Sequence, residues 1–187
     1  MRIVSGSHRG RVIHPPKNLD VRPTTDFAKE SIFNILNNYF ELDGLKVLDL
    51  FCGTGNMSYE FASRGCGDII SVDTNYACCE FVKRTSAEFK MNQIKAIKSD
   101  AFTFLKRATV PYHIIFCDPP YDLENINTIP ELVFQNKLLK PEGWLIVEHG
   151  EQTDLSKLPH FNQHRKYGNV NFSVFIADEN VPTPSAQ

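Results

Sequence analysis

Three short stretches of this chain place acidic residues, two of them beside glycine or proline, in arrangements that can do chemistry. The first is Asp49-Leu50-Phe51-Cys52-Gly53-Thr54-Gly55-Asn56. Gly53 and Gly55 let the backbone turn tightly and approach a ligand with no Cβ in the way. A plain strand-to-helix turn uses the same residues. Asp49 shifts the balance, because a carboxylate at the end of an apolar strand must be satisfied once buried. The N–H groups of the glycine turn or a cationic ligand would do so. The second candidate is Asp73, 18 residues after Gly55. An acid here is the expected acceptor for both hydroxyls of a ribose, or equally a cap for a helix opening at Thr74 or Asn75. Together with the glycine turn it marks an adenosine-containing ligand. Asp100 is a weaker companion, placed to meet an adenine amino group, with Phe102 beside it.

The third stretch is Asp118-Pro119-Pro120-Tyr121. Two prolines fix φ in succession, and the residue before a proline is driven to extended backbone. The resulting stiff loop aims one carboxylate and the Pro119 carbonyl in defined directions, beside an aromatic ring. Two acceptors next to a ring suit a planar amino group on a stacked base. A rigid loop with a packing tyrosine is the competing structural reading.

These stretches fall at regular places in the pattern of elements. Residues 46–51, 68–73, 96–99, 113–117 and 144–148 read as apolar strands. Helical spacing separates them at about 56–64, 75–90, 102–107 and 129–139. A further helix runs from Thr25, a plausible N-cap, through Phe40, and the last runs (161–167 and 170–177) read as a closing antiparallel hairpin. Alternating strands and helices with continuously apolar strands predict an α/β, doubly wound, largely parallel sheet. In such sheets ligands bind outside the carboxyl ends of the strands. All three candidate sites stand at strand ends.

With 187 residues, 42% hydrophobic and 22% charged, the chain reads as one globular domain, which excludes disordered and collagen-like classes. The net charge of −2 conceals a split. Residues 1–22 carry Arg2, Arg9, Arg11, Lys17 and Arg22 against Asp20, a local +4, which leaves −6 on residues 23–187. We therefore divide the chain into a basic β-hairpin extension (1–23), a main domain (24–178) and a disordered tail (179–187). The five cysteines lack metal-ligand spacing and read as reduced, buried thiols. No apolar run is long enough for a signal h-region or a membrane span, so a cytoplasmic protein without metal is expected.

The order DLFCGTGN, VD, DPPY resembles the class I S-adenosylmethionine-dependent methyltransferases that modify exocyclic amino groups. The opening RIVSGSHRGR and the block VRPTTDFAKESIFNIL narrow the resemblance to the 16S ribosomal RNA guanine-N2 methyltransferases, from Arg2 to about Ala177. Cys52 and Thr54 stand where relatives more commonly carry alanine and serine.

The resemblance implies a Rossmann-like fold with a seven-stranded, mainly parallel sheet, a C-terminal antiparallel hairpin and a small N-terminal β-hairpin. It implies S-adenosylmethionine as cofactor, bound at Asp49, Phe51, Gly53, Gly55 and Asp73, with adenine near Asp100 and Ala101. Asp118, Pro119 and Tyr121 would be catalytic, holding a flipped guanine. Arg2, Arg9, Arg11, Lys17 and Arg22 would meet RNA, and 16S rRNA or the small subunit would be the partner of a monomeric enzyme. The rival within enzymes is an adenine-N6 DNA methyltransferase, which shares the DPPY chemistry but needs a target-recognition domain for which no segment is long enough. A catalytically inactive RNA-binding module is the rival outside enzymes, and the intact acids argue against it.

Overall fold

The computed structural model describes residues 1–19 and 25–178. Arg22 and the 179–187 tail lie outside the described residues. The chain order is α1 (Asp26–Tyr39), β1 (Lys46–Leu50), α2 (Asn56–Ser63), β2 (Asp68–Asp73), α3 (Tyr76–Glu88), β3 (Ile94–Lys98), α4 (Ala101–Arg107), β4 (Tyr112–Cys117), α5 (Thr128–Gln135), β5 (Leu139–His149), β6 (Phe161–Tyr167) and β7 (Val170–Ile176). The strands form one sheet in the order β3-β2-β1-β4-β5-β7-β6. The pairs from β3 to β5 are parallel, whereas β7 is antiparallel to both β5 and β6.

Strand progress reverses between β1 and β4, which places a crevice at their carboxyl ends. Successive residues of the central strands bury on opposite faces, as the period of two requires. Val47, Ile114 and Phe116 join α1, α2 and α3 in one core, and Leu48, Ile115 and Cys117 join α4 and α5 in the other. Both faces are covered at the centre of the sheet, so β4 and the second half of β5 are almost wholly buried and apolar. No helix among the described residues is long and apolar enough to cross a membrane. The five cysteines are buried free thiols.

Thr25 caps α1, its hydroxyl accepting the Ala28 N–H at 3.2 Å. Two helices end earlier than their apolar spacing predicts, α3 at Glu88 and α5 at Gln135. Both close through a left-handed residue, Lys90 (φ 57°) and Lys137 (φ 52°). Met91 N–H bonds the Ser86 carbonyl, and Leu138 N–H bonds that of Val133. This is the helix stop that glycine normally supplies, and lysine gives no sign of it. Leu139, expected to end α5, instead opens β5.

The N-terminal runs do pair antiparallel, but through one bridge, Arg2 with Val12, flanked by Ile3 N–H to the Arg11 carbonyl (2.9 Å) and Ile13 N–H to that of Met1 (2.8 Å). Other donors of the arm serve the body. Val4 and Ser5 N–H donate to Glu60 at 2.8 and 3.0 Å, and Ser7 N–H donates to the Ser63 carbonyl at 2.7 Å. Gly6, at φ +82°, presses on that carbonyl so closely that a Cβ would lie 1.8 Å from its oxygen.

Glu60 also faces two cations. Arg64 Nε donates to it at 2.8 Å, and Lys29 Nζ stands 3.4 Å away, with the Lys29 and Glu60 side chains wholly buried. Lys29 further donates to the Arg2 carbonyl (2.6 Å) and to Asn56 Oδ1 (2.9 Å). Burial pulls the Lys29 ammonium below its ordinary pKa, opposed by the charge of Glu60. Removing one member of a buried ion network leaves charge uncompensated, at a cost of about 3–5 kcal/mol. Glu60→Ala should lose stability of that order in urea unfolding, and a loss below about 1 kcal/mol would show that the network does not hold the arm.

Candidate active site

A cavity of about 500 Å³ opens at the carboxyl ends of β1, β2, β4 and β5. Asp49, Phe51, Gly53, Asp73, Asp118, Pro119 and Tyr121 line it, together with Thr25, Met57, Phe116, Glu148 and Val170. Gly55, Asp100 and Ala101 do not. Among the described lining residues there are four carboxylates and no lysine, arginine or histidine. A larger cavity, about 660 Å³, lies at the opposite end of the sheet between Phe40, His113, Trp144 and His160, and none of Asp49, Asp73, Asp118 or Glu148 lines it.

Asp49 is buried inside β1. Its carboxylate accepts the Ser58 hydroxyl at 2.5 Å, and Ser58 lies 2.6 Å from Ser71 of β2. Ser58 has one proton, so donating to Asp49 makes it the acceptor for Ser71. Burial pushes the Asp49 carboxyl up to about 7, against the pull of the Ser58 hydrogen bond.

The Asp73 carboxylate ties the glycine turn to the start of α3, although the cap expected of it is supplied by Asn75. Oδ2 accepts the Gly53 N–H and Oδ1 the Asn75 N–H, each at 2.8 Å. Asn75 is itself the N-cap of α3, accepting from Ala77 at 2.9 Å. The glycine turn is further pinned by Cys52 N–H on the Val72 carbonyl at 3.0 Å. Phe51 (φ 58°) and Gly53 (φ 51°) both take left-handed backbone here, a costly conformation for a phenylalanine. Gly55 (φ 86°) lies behind the cavity wall, with no space for a side chain. A Cβ there would lie 2.9 Å from Tyr59 Cζ and from Val82 Cγ2, between α2 and α3. Asp100 is the N-cap of α4 and accepts from Thr103 N–H at 2.8 Å, while Ala101 is buried as the first residue of that helix.

The Asp118 N–H bonds the Leu50 carbonyl at 3.3 Å, joining the ends of β4 and β1. Tyr121 is 41% exposed, enough to offer a ring face, and its hydroxyl donates to Glu148 Oε1 at 3.0 Å. Glu148 is a site residue absent from the sequence reading. The signal was present, since it is an acid closing an apolar strand, as Asp49 and Asp73 are. Val170 gave none.

Of the expected RNA contacts, Arg9 and Lys17 are exposed, Arg2 pairs with Asp26 at 3.3 Å, and Arg11 lies over the Phe89 ring at 5.1 Å. The arm follows α2 from the cavity, where Met1 touches Thr54, to the far helix end at Ser63. Eight residues of helix span about 12 Å.

The Asp49 assignment has a pH signature. The folded chain keeps a proton that the unfolded chain releases near 4, so the favourable contribution is complete below that pH and is lost as pH rises through about 7. The melting temperature of wild type relative to Asp49→Asn should therefore fall between about pH 5 and 8; a flat difference across that range would remove Asp49 as the titrating group.

Comparison with known proteins agrees with this geometry. Residues 1–176 match the model of the family described as conserved hypothetical protein 95. YlbH of Bacillus subtilis (strain 168), provisionally assigned as an rRNA methyltransferase, is 33% identical over 159 residues, covering 83% of this chain and 85% of that protein. Ribosomal RNA small subunit methyltransferase D of Escherichia coli (strain K12) is 28% identical over 167 residues, covering 89% and 83%. The solved structure of yhhF from Escherichia coli, provisionally a methyltransferase, superposes with a TM-score of 0.84 at 25% identity, covering 96% of this chain and 99% of that one. The chain thus belongs to the conserved hypothetical protein 95 family, whose matched relatives carry the name of ribosomal RNA methyltransferases.

Proposed function

We propose that this chain is an S-adenosylmethionine-dependent methyltransferase that modifies the exocyclic N2 of a guanine in 16S ribosomal RNA. The observation that carries the reading is the cavity itself, in which four carboxylates and no described base surround a proline-stiffened loop and a half-exposed tyrosine. That donor set fits a cationic, hydroxyl-bearing cofactor. Asp73, whose carboxylate accepts two backbone N–H groups and has acceptor capacity to spare, suits the ribose hydroxyls. Asp49 and the turn at Phe51 and Gly53 suit the charged amino-acid end. Asp100 and Ala101, at the head of α4, are the proposed neighbours of the adenine, with Gly55 holding the turn from behind. When bound, S-adenosylmethionine supplies a methyl group activated by a positively charged sulfur.

The chain's own residues hold the acceptor. Tyr121 stacks the target base, which must leave its RNA stack to be reached. Asp118 and the Pro119 carbonyl accept the two N2–H bonds and hold them out of the ring plane, which opposes delocalisation of the nitrogen lone pair into the ring. Asp118 takes the proton that the amine loses. These roles need positioning and fixed dipoles, with no covalent enzyme intermediate. The basic extension, Arg2, Arg9, Arg11, Lys17 and Arg22, neutralises phosphates without reading bases. The enzyme is proposed to act as a cytoplasmic monomer on rRNA or the assembled small subunit, without a metal ion.

Radiolabelled methyl transfer to 16S rRNA and to small subunits lacking the modification, followed by nucleoside analysis, tests the reading. Label is expected in N2-methylguanine, and label in N6-methyladenine would overturn it. Asp118→Ala should lower turnover by about 10²- to 10⁴-fold with cofactor affinity little changed. Replacing Arg9 and Arg11 together by alanine should flatten the slope of log affinity against log salt by about 1.5 to 2; an unaltered slope would take both off the RNA.

A further inference from the structure

The fourth carboxylate of the cavity has no part in the reading above. Glu148 is only 3% exposed, although it lines the cavity. Val147 pairs with Cys117 in the parallel ladder, so Glu148 and Asp118 follow at the same level, on adjacent strand ends. Glu148 also accepts the Tyr121 hydroxyl at 3.0 Å. The Tyr121 ring rests against Gly150, where an added Cβ would come within 3.3 Å of it. Two carboxylates therefore stand side by side at the edge of one stacking ring. A carboxylate accepts about four hydrogen bonds, so the tyrosine contact and a contact to a base are compatible.

A guanine presents adjacent donors on its Watson–Crick edge, the N2 amino group and N1–H. An adenine presents an amino group beside an N1 lone pair, which a carboxylate repels. Resting on the guanine-N2 reading, we infer that Glu148 is a specificity-determining residue that accepts the N1–H of the target guanine, next to the N2 amino group on Asp118. A site built to bond an N–H discriminates strongly against an analogue lacking it, because the buried acceptor is left unmatched. The DPPY loop recognises an amino group on a ring, and Glu148 decides which ring.

The test uses RNA carrying either guanine or 2-aminopurine at the position that the wild-type enzyme methylates. 2-Aminopurine keeps the amino group but has a lone pair at N1. Wild type should prefer guanine in kcat/KM by about 100-fold or more. Glu148→Gln keeps an oxygen for the Tyr121 hydroxyl and adds an amide donor that can face the N1 lone pair. Its preference should fall by about tenfold or more, with circular dichroism and S-adenosylhomocysteine affinity unchanged. Tyr121→Phe breaks the same hydrogen bond from the other side and should leave the preference intact while lowering the rate. An unchanged preference in Glu148→Gln, or equal shifts in both variants, would reduce Glu148 to a support for Tyr121 and overturn the inference. Absence of N2-methylguanine in the wild-type arm would instead overturn the function on which it rests, and would be seen before any variant is made.

Discussion

Glu60 is the point through which the N-terminal extension, two helices and the cavity wall are tied. Its carboxylate receives Val4 and Ser5 of the arm, Arg64 of its own helix end and Lys29 of α1. Lys29 passes the connection on to Asn56, a cavity-lining residue that opens α2. Buried ion networks are weak evidence for stability, since apolar replacements of like volume often serve as well. They are better evidence for uniqueness. An apolar cluster would hold α1 against α2 in several registers, whereas this set satisfies its hydrogen bonds in one. The register matters, because the same contacts set where the glycine turn begins and where the arm lies.

The cavity has the opposite economy. Four acids share one crevice, and Asp49 is so poorly solvated that its carboxyl titrates near 7. Nothing in the folding of the sheet requires acids there; leucine or valine would fill β1 more favourably. The arrangement is unfavourable for the free chain and becomes favourable once a cation enters, because the added charge restores the ionised form of Asp49. Local rules of sequence and structure are broken at functional sites, and here the broken rule has a sign, negative, that describes the ligand.

That sign was legible before the fold was. Asp49, Asp73 and Asp118 stand out because each is an acid at or near the end of an apolar run, and Glu148 obeys the same rule in WLIVE. The central parallel strands were equally legible, since burial on both faces makes them largely apolar. What escaped is what depends on a partner distant in sequence. Lys29 sits within an apolar helix face and reads as an exposed exception until Glu60, 31 residues later, is placed against it. Lys90 and Lys137 end helices in a conformation that glycine signals and lysine does not. Asp100 reads as a strand-end acid, yet one of its carboxylate oxygens also caps the first turn of α4. Gly55 reads as a ligand-facing glycine, yet its missing side chain is required by Tyr59 and Val82. Residue type marks a position as special, and only the neighbours reveal for whom.

The reacting loop is rigid because each of its parts is held from behind by backbone. Asp118 hangs from the Leu50 carbonyl, so its position follows β1 rather than a loop. Two prolines remove the freedom of the next two residues. Tyr121 is then fixed at both ends, its hydroxyl on Glu148 and its ring on the bare backbone of Gly150. Methyl transfer to a weakly nucleophilic amine gains chiefly from orientation, and orientation is lost if an aromatic platform tilts. The sheet supplies that rigidity at the ends of β4 and β5, while the extension runs along α2 from the cavity, at Met1, to Ser63, about 12 Å of helix. Under the proposed function, phosphates held by the exposed Arg9 and Arg11 would constrain the RNA without touching the base. Electrostatic attraction on the arm and selectivity in the crevice would then be separate, and an acidic body could serve a polyanionic substrate.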